Sequence, residues 1–110
     1  YSQAMVAGGM VYCSGQIPMD PVTGELTGGD VQAQTDQALR NLAAVLEAAG
    51  SDFAHVVKCT VFLQSMDDFA AMKEVYAKHM GDARPARAAV EVARLPRGVD
   101  VEIDAIAVVP

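Results

Sequence analysis

Apolar and polar residues alternate from Val99 to Ala107, with Val99, Val101, Ile103, Ala105 and Ala107 in one set and Asp100, Glu102, Asp104 and Ile106 in the other. A period of two is that of a strand with one face on a core. The preceding run repeats it, Ala88, Val90 and Val92 alternating with Arg87, Ala89 and Glu91. Taking the apolar set of each run as core-facing predicts that Arg87 and Glu102 both lie on the face turned away from the core. A further strand is predicted over Val56 to Leu63, rich in branched residues, with Val57, Cys59, Val61 and Leu63 on one side and Lys58, Thr60 and Gln64 on the other.

Ala4 to Ala7 and Met10 to Ser14 flank Gly8-Gly9, a pair suited to the tight turn of a hairpin. Gln16 to Asp30 holds Pro18, Pro21, Gly24, Gly28 and Gly29 and reads as a surface loop. From Asp30, whose carboxylate suits an N-cap, Leu39, Leu42, Leu46 and Ala49 recur at helical spacing until Gly50 stops the helix. A second helix is predicted after Ser65. Asp67 and Asp68 fall in its first turn, where they meet the positive end of the dipole, and Phe69, Met72, Val75 and Tyr76 share one face before Gly81. The order ββ, α, β, α, ββ predicts an α+β fold with both helices packed on one face of a mixed sheet. The other face then carries Val56, Phe62, Ala89, Ile106 and Val108, and so much apolar surface predicts a homo-oligomer with its sites at the subunit joins.

At 110 residues the chain reads as a single domain, 1–110. A net charge of −6 disfavours phosphate backbones and anionic lipid, so neither nucleic acid nor a membrane is expected as a partner. No apolar run approaches the roughly 20 residues of a membrane span. Cys13 and Cys59 lie within predicted strands without knuckle or redox spacing, which suggests buried thiols in the cytoplasm. The chain opens on Tyr1 and enters a strand within a few residues, so an N-terminal segment is expected to precede it.

Arg87 follows Pro85-Ala86 at the mouth of its strand. A guanidinium there either anchors a substrate carboxylate through two parallel donors or forms a surface ion pair with Glu91 or Glu102. Glu102, between Val101 and Ile103, either positions a water and passes protons or is the structural partner of Arg87 or Lys58. Taken jointly at a subunit seam, an anchor cation and a proton shuttle suit hydrolysis of a small carboxylate. Gly15, in Ser14-Gly15-Gln16, either lets a ligand approach the backbone or simply makes a turn. His55 and His79 have no acidic or cysteine neighbours at ligand spacing, and no glycine-rich phosphate loop is present, so neither metal nor cofactor is expected.

An ordered set of motifs spans nearly the whole chain: Tyr1-Ser2-Gln3-Ala4, Ser14-Gly15-Gln16-Ile17-Pro18, Asp20-Pro21-Val22-Thr23-Gly24-Glu25, Val57-Lys58 with Thr60-Val61-Phe62-Leu63, Met66-Asp67-Asp68-Phe69, and Pro85-Ala86-Arg87 through Glu102-Ile103. In this the chain resembles the RidA/YjgF family of enamine and imine deaminases. The resemblance implies a chorismate-mutase-like protomer assembled as a homotrimer, with clefts between neighbours. It also implies cofactor-free hydrolysis of 2-imino and 2-enamino acids to 2-oxo acids and ammonia. By position it places the carboxylate clamp on Arg87, the water-holding acid on Glu102, and substrate contacts on Gly15, Tyr1, Ser14 and Ala89. Ala89 stands where many relatives carry cysteine, and Lys73 where some carry asparagine. A non-catalytic ligand-binding or holdase-like member of the same fold is the alternative.

Overall fold

A computed structural model describes residues 1–110. The elements follow in the predicted order: β1 (Ala4–Ala7), β2 (Met10–Gln16), α1 (Val31–Ala48), β3 (Val56–Leu63), α2 (Phe69–Met80), β4 (Ala86–Glu91) and β5 (Val101–Val108). One mixed sheet runs β1-β2-β5-β3-β4. Every pairing is antiparallel except β3 with β4, which run parallel and are joined through α2, as parallel neighbours need a crossover.

Local chemistry accounts for the boundaries. Gly8 and Gly9 both adopt positive φ, 59° and 76°, which is what the two-residue turn between β1 and β2 demands. The Asp30 carboxylate accepts the Ala33 N–H and starts α1. Ser65 caps a short 3-10 turn over Met66–Asp68 that runs directly into α2, and Gly81 at positive φ ends that helix. Both helices cover one sheet face. Leu39, Leu42 and Leu46 of α1 and Met72, Tyr76 and Met80 of α2 pack on Val11, Cys59, Val61, Leu63, Val101, Ile103 and Ala105. The two helices are also tied by polar contacts, His79 Nε2 to Asp36 Oδ1 at 2.8 Å and Gln32 Nε2 to Glu74 Oε2 at 2.9 Å.

Two face assignments differ from the sequence pattern. In β3 the buried residue is Val56 and the exposed one Val57, the reverse of the expectation. The pairing with β5 slips between Val56 and Lys58, so Val57 is the extra residue of a β-bulge and the alternation restarts after it. In β4 the whole strand is turned over. Its register with β3 sets Arg87 beside Cys59, Ala89 beside Val61 and Glu91 beside Leu63, all core-facing rows, while Ala88 and Val90 join Thr60 and Phe62 on the open face. Arg87 and Ala89 are therefore on the helix side, and Glu102, between the buried Val101 and Ile103, is on the opposite side.

The open face keeps its apolar character with a different membership: Met5, Tyr12, Phe62, Val90, Ile106 and Val108. Met5 and Tyr12 are 61% and 48% exposed. Both cysteines are free and buried, as expected, and burial raises the Cys13 thiol to about 11. No helix is long and apolar enough to cross a membrane.

Candidate active site

Arg87 leaves edge strand β4 toward α2. Its guanidinium carbon lies 5.3 Å from the Phe69 ring centre and 5.1 Å from that of Tyr76, so two rings one helical stripe apart support the cation. No carboxylate pairs with it; Glu91, one candidate partner, instead accepts the Met66 N–H at 3.0 Å. The ion-pair reading of Arg87 is thereby removed for the single chain. Beside it opens a cavity of about 630 Å³ lined by Lys73, Tyr76, Met80, Arg84, Pro85 and Arg87 among others. The Tyr76 hydroxyl is buried with no oxygen or nitrogen partner, and burial raises its pKa.

Glu102 occupies a second cleft, of about 400 Å³, with Tyr1, Gln3, Ser14, Gly15, Ile17 and Pro96 among its walls. A bulge between Cys13 and Gln16, where β2 slips against β5, brings the Gly15 backbone against the Glu102 carboxylate. A Cβ at Gly15 would fall inside that carboxylate, so here glycine serves close approach. Burial first, and then the Asp104 carboxylate two residues along the strand, push the Glu102 carboxyl above the usual carboxylate range. The N-terminal residues are held in place by β2: the Ser14 hydroxyl donates to Ser2 O at 2.6 Å, and the Ser14 N–H to Gln3 O at 2.9 Å. The cleft rim over Met19 and Ile17 is fixed by Asn41, whose Nδ2 donates to both carbonyls.

Of the residues singled out in the sequence, the structure brings Tyr1, Ser14, Gly15 and Glu102 together and sets Arg87 apart. The two cavities share no residue and open on opposite sides of the sheet. Ala89 shares the Arg87 face but packs against the core and lines neither cavity. The two histidines do have acidic neighbours, contrary to expectation, His55 with Asp52 at 2.7 Å and His79 with Asp36 at 2.8 Å, both outside the cavities. Sequence reasoning missed the platform of Phe69 and Tyr76, which it placed on one helix face with no part in the site. Their spacing shows a shared helix face, but only the β3–β4 register reveals that Arg87 lies over it. Likewise Lys73 and Arg84 become visible as neighbours of Arg87 only once the turn after α2 is folded.

With this geometry in place, comparison with known proteins is informative. The family model described as Endoribonuclease L-PSP matches residues 1–109. A RutC family protein of Pyrococcus horikoshii is 55% identical over 107 residues, 97% of this chain and 85% of that protein. A 2-iminobutanoate/2-iminopropanoate deaminase of Capra hircus is 49% identical over 108 residues, 98% of this chain and 79% of its own length. The crystal structure of TdcF of E. coli with bound serine superimposes with a TM-score of 0.91 at 44% identity, covering 98% of this chain and 87% of that one. A match of this extent, on the same strand and helix frame, makes the chain a member of the Endoribonuclease L-PSP family, the RidA/YjgF proteins.

Proposed function

We propose that this protein hydrolyses 2-imino acids, such as 2-iminopropanoate, to 2-oxo acids and ammonia, in sites completed between two copies of the chain. The observation that carries the reading is the separation of a partnerless, ring-supported guanidinium from a carboxylate held in its own cleft on the other side of the sheet. Neither half suffices alone, and the exposed apolar sheet face supplies a reason for copies to associate. The relative from Capra hircus, named for imine deamination, supports the reaction class.

In this reading Arg87 clamps the α-carboxylate, leaving the C=N carbon over the Glu102 cleft of a neighbouring copy. The Glu102 carboxylate accepts a proton from water as its oxygen adds to the iminium carbon. It then returns that proton to the nitrogen, the carbinolamine collapses to the ketone, and ammonia leaves with the hydroxyl proton as ammonium. Iminium ions are reactive toward water, so holding water and carbon in register supplies most of the acceleration. No step calls for a cofactor.

The test is disappearance of 2-iminopropanoate, generated in place by an amino-acid oxidase, against a semicarbazide trap. Wild type is expected to outpace the trap and Arg87→Ala to lose at least about 100-fold, with the oligomer intact. Ligand-stabilised melting without turnover would instead support a binding module. RNA cleavage that survives Arg87→Ala would favour the activity in the family's description, against which stand the net charge of −6 and the placement of both histidines outside the cavities.

A further inference from the structure

The cavity beside Arg87 is lined by three cations, Lys73, Arg84 and Arg87, and by no carboxylate. The composition works against such a gathering, since the chain has 14 acidic residues to 8 lysines and arginines. None of the three is in an ion pair. Two nearby acids are engaged elsewhere, Glu74, next to Lys73, accepting Gln32 Nε2 at 2.9 Å on the α1 side and Glu91 accepting the Met66 N–H, while the exposed Asp82 forms no ion pair and is not part of the lining. Arg84 is held at the cavity wall by its Nη1, which donates to Gly81 O and Ala83 O, both at 2.8 Å. Lys73 Nζ and the Arg87 guanidinium carbon stand over the same ring, 5.6 Å and 5.3 Å from the Phe69 centre.

A single α-carboxylate satisfies the fork of Arg87 and leaves Lys73 without a counter-ion. An unpaired ammonium becomes costly once a second copy covers the cavity and removes its water. Two cations over one ring, with a third on the cavity wall, match two anionic groups on a short chain.

We propose that this cavity selects a dianionic substrate, a 2-imino acid whose side chain ends in a second carboxylate, with Arg87 on the α-carboxylate and Lys73, backed by Arg84, on the other. The proposal deepens the deaminase reading and rests on it for the imino group, but dianion selection is measurable without turnover. Calorimetric titration of the full-length chain with 2-oxoglutarate and with 2-oxobutanoate, stable product-like acids that differ in the second carboxylate, reads it directly. Wild type is expected to bind 2-oxoglutarate about tenfold more tightly, as one added charge-assisted contact warrants. Lys73 is exposed on α2, so Lys73→Asn should fold; it should abolish most of that ratio, while Lys73→Arg restores it. The ratio should also shrink with added salt. Equal affinities in wild type, or a ratio unchanged by Lys73→Asn, overturn the proposal, as does inorganic phosphate competing as well as 2-oxoglutarate, which would mark a general anion site. Imine turnover measured alongside separates the two claims: a retained ratio without turnover removes the deaminase reading alone, and turnover without a ratio removes this inference alone.

Discussion

Arg87 and Glu102 are held by opposite means. The guanidinium rests on two aromatic rings, with two further cations nearby and no anion; a guanidinium carries its charge by its own basicity, whatever surrounds it. The carboxylate sits against bare backbone at Gly15, half-buried and beside Asp104, so its charge depends on pH. A permanent cation suits binding, because it never has to move a proton. A titratable carboxyl held above its ordinary range suits proton transfer, because it can both accept and return a proton. In the proposed reading each chain carries two half-sites with separate tasks, on opposite sides of the sheet, and a second chain is what unites them.

The largest effect should come from breaking and restoring that union. Arg87→Ala and Glu102→Gln are each expected to lose at least about 100-fold in imine hydrolysis. Co-expressed and randomly mixed in a closed ring, about a quarter of the junctions would pair an intact Arg87 from one copy with an intact Glu102 from the next. Activity near a quarter of wild type is therefore expected from two inactive variants. No recovery in demonstrably mixed oligomers would place both groups in one copy's site.

The fold that sets Arg87 and Glu102 apart was partly legible in the sequence. Element order, the Asp30 cap of α1, the Gly8-Gly9 turn and the inward set of β5 follow from local spacing and turn chemistry, and all are present in the fold, whereas Ser65 caps the 3-10 turn ahead of α2 rather than the helix itself. What failed was facing. β4 has alanine at positions 86, 88 and 89, residues that either face accepts, so its period of two carries no direction. Direction comes from the parallel register with β3, a non-local pairing that no window along the chain contains. The Val57 bulge fails for a related reason, because adjacent valines let the alternation slip by one without any change in composition. Glu102 and Gly15 were legible because a charged residue in an apolar strand and a glycine at a strand end are anomalies in place. Lys73 was marked only through the resemblance, and Arg84 was not legible, since a cation in a turn is ordinary until a cavity is seen beside it.

A smaller effect sharpens the Glu102 side alone. Gly15→Ala places a methyl where the carboxylate lies, and the neighbour that can move is the Glu102 side chain. We expect kcat to fall by about 100-fold, the lower end of the range for general acid–base catalysis. Binding of 2-oxo acids should fall less than kcat by calorimetry, since the carboxylate clamp Arg87 lies in a cavity that shares no residue with the cleft of the same chain. Equal loss of binding would mean that Gly15 shapes the fold rather than the cleft.

The smallest effect concerns stability and has a definite sign. Burial and Asp104 raise the Glu102 carboxyl above its unfolded value, so the folded protein holds that proton more tightly than the unfolded chain does. The associated stability is fully present below the ordinary carboxylate range and is lost as pH rises through the raised value. At neutral pH the ionised group therefore works against the fold, in contrast to Arg87, whose charge does not vary. Glu102→Gln cannot ionise and should melt about 2 °C above wild type at pH 7.5, at fixed protein concentration because association also shifts Tm. The gap should close by about pH 3, below the ordinary carboxylate range, where Glu102 of wild type is protonated in both states. Asp104→Asn, by removing the second cause of the raised value, should narrow the gap without abolishing it. A gap that stays constant across this range would trace the gain to packing rather than to the charge that the proposed hydrolysis requires.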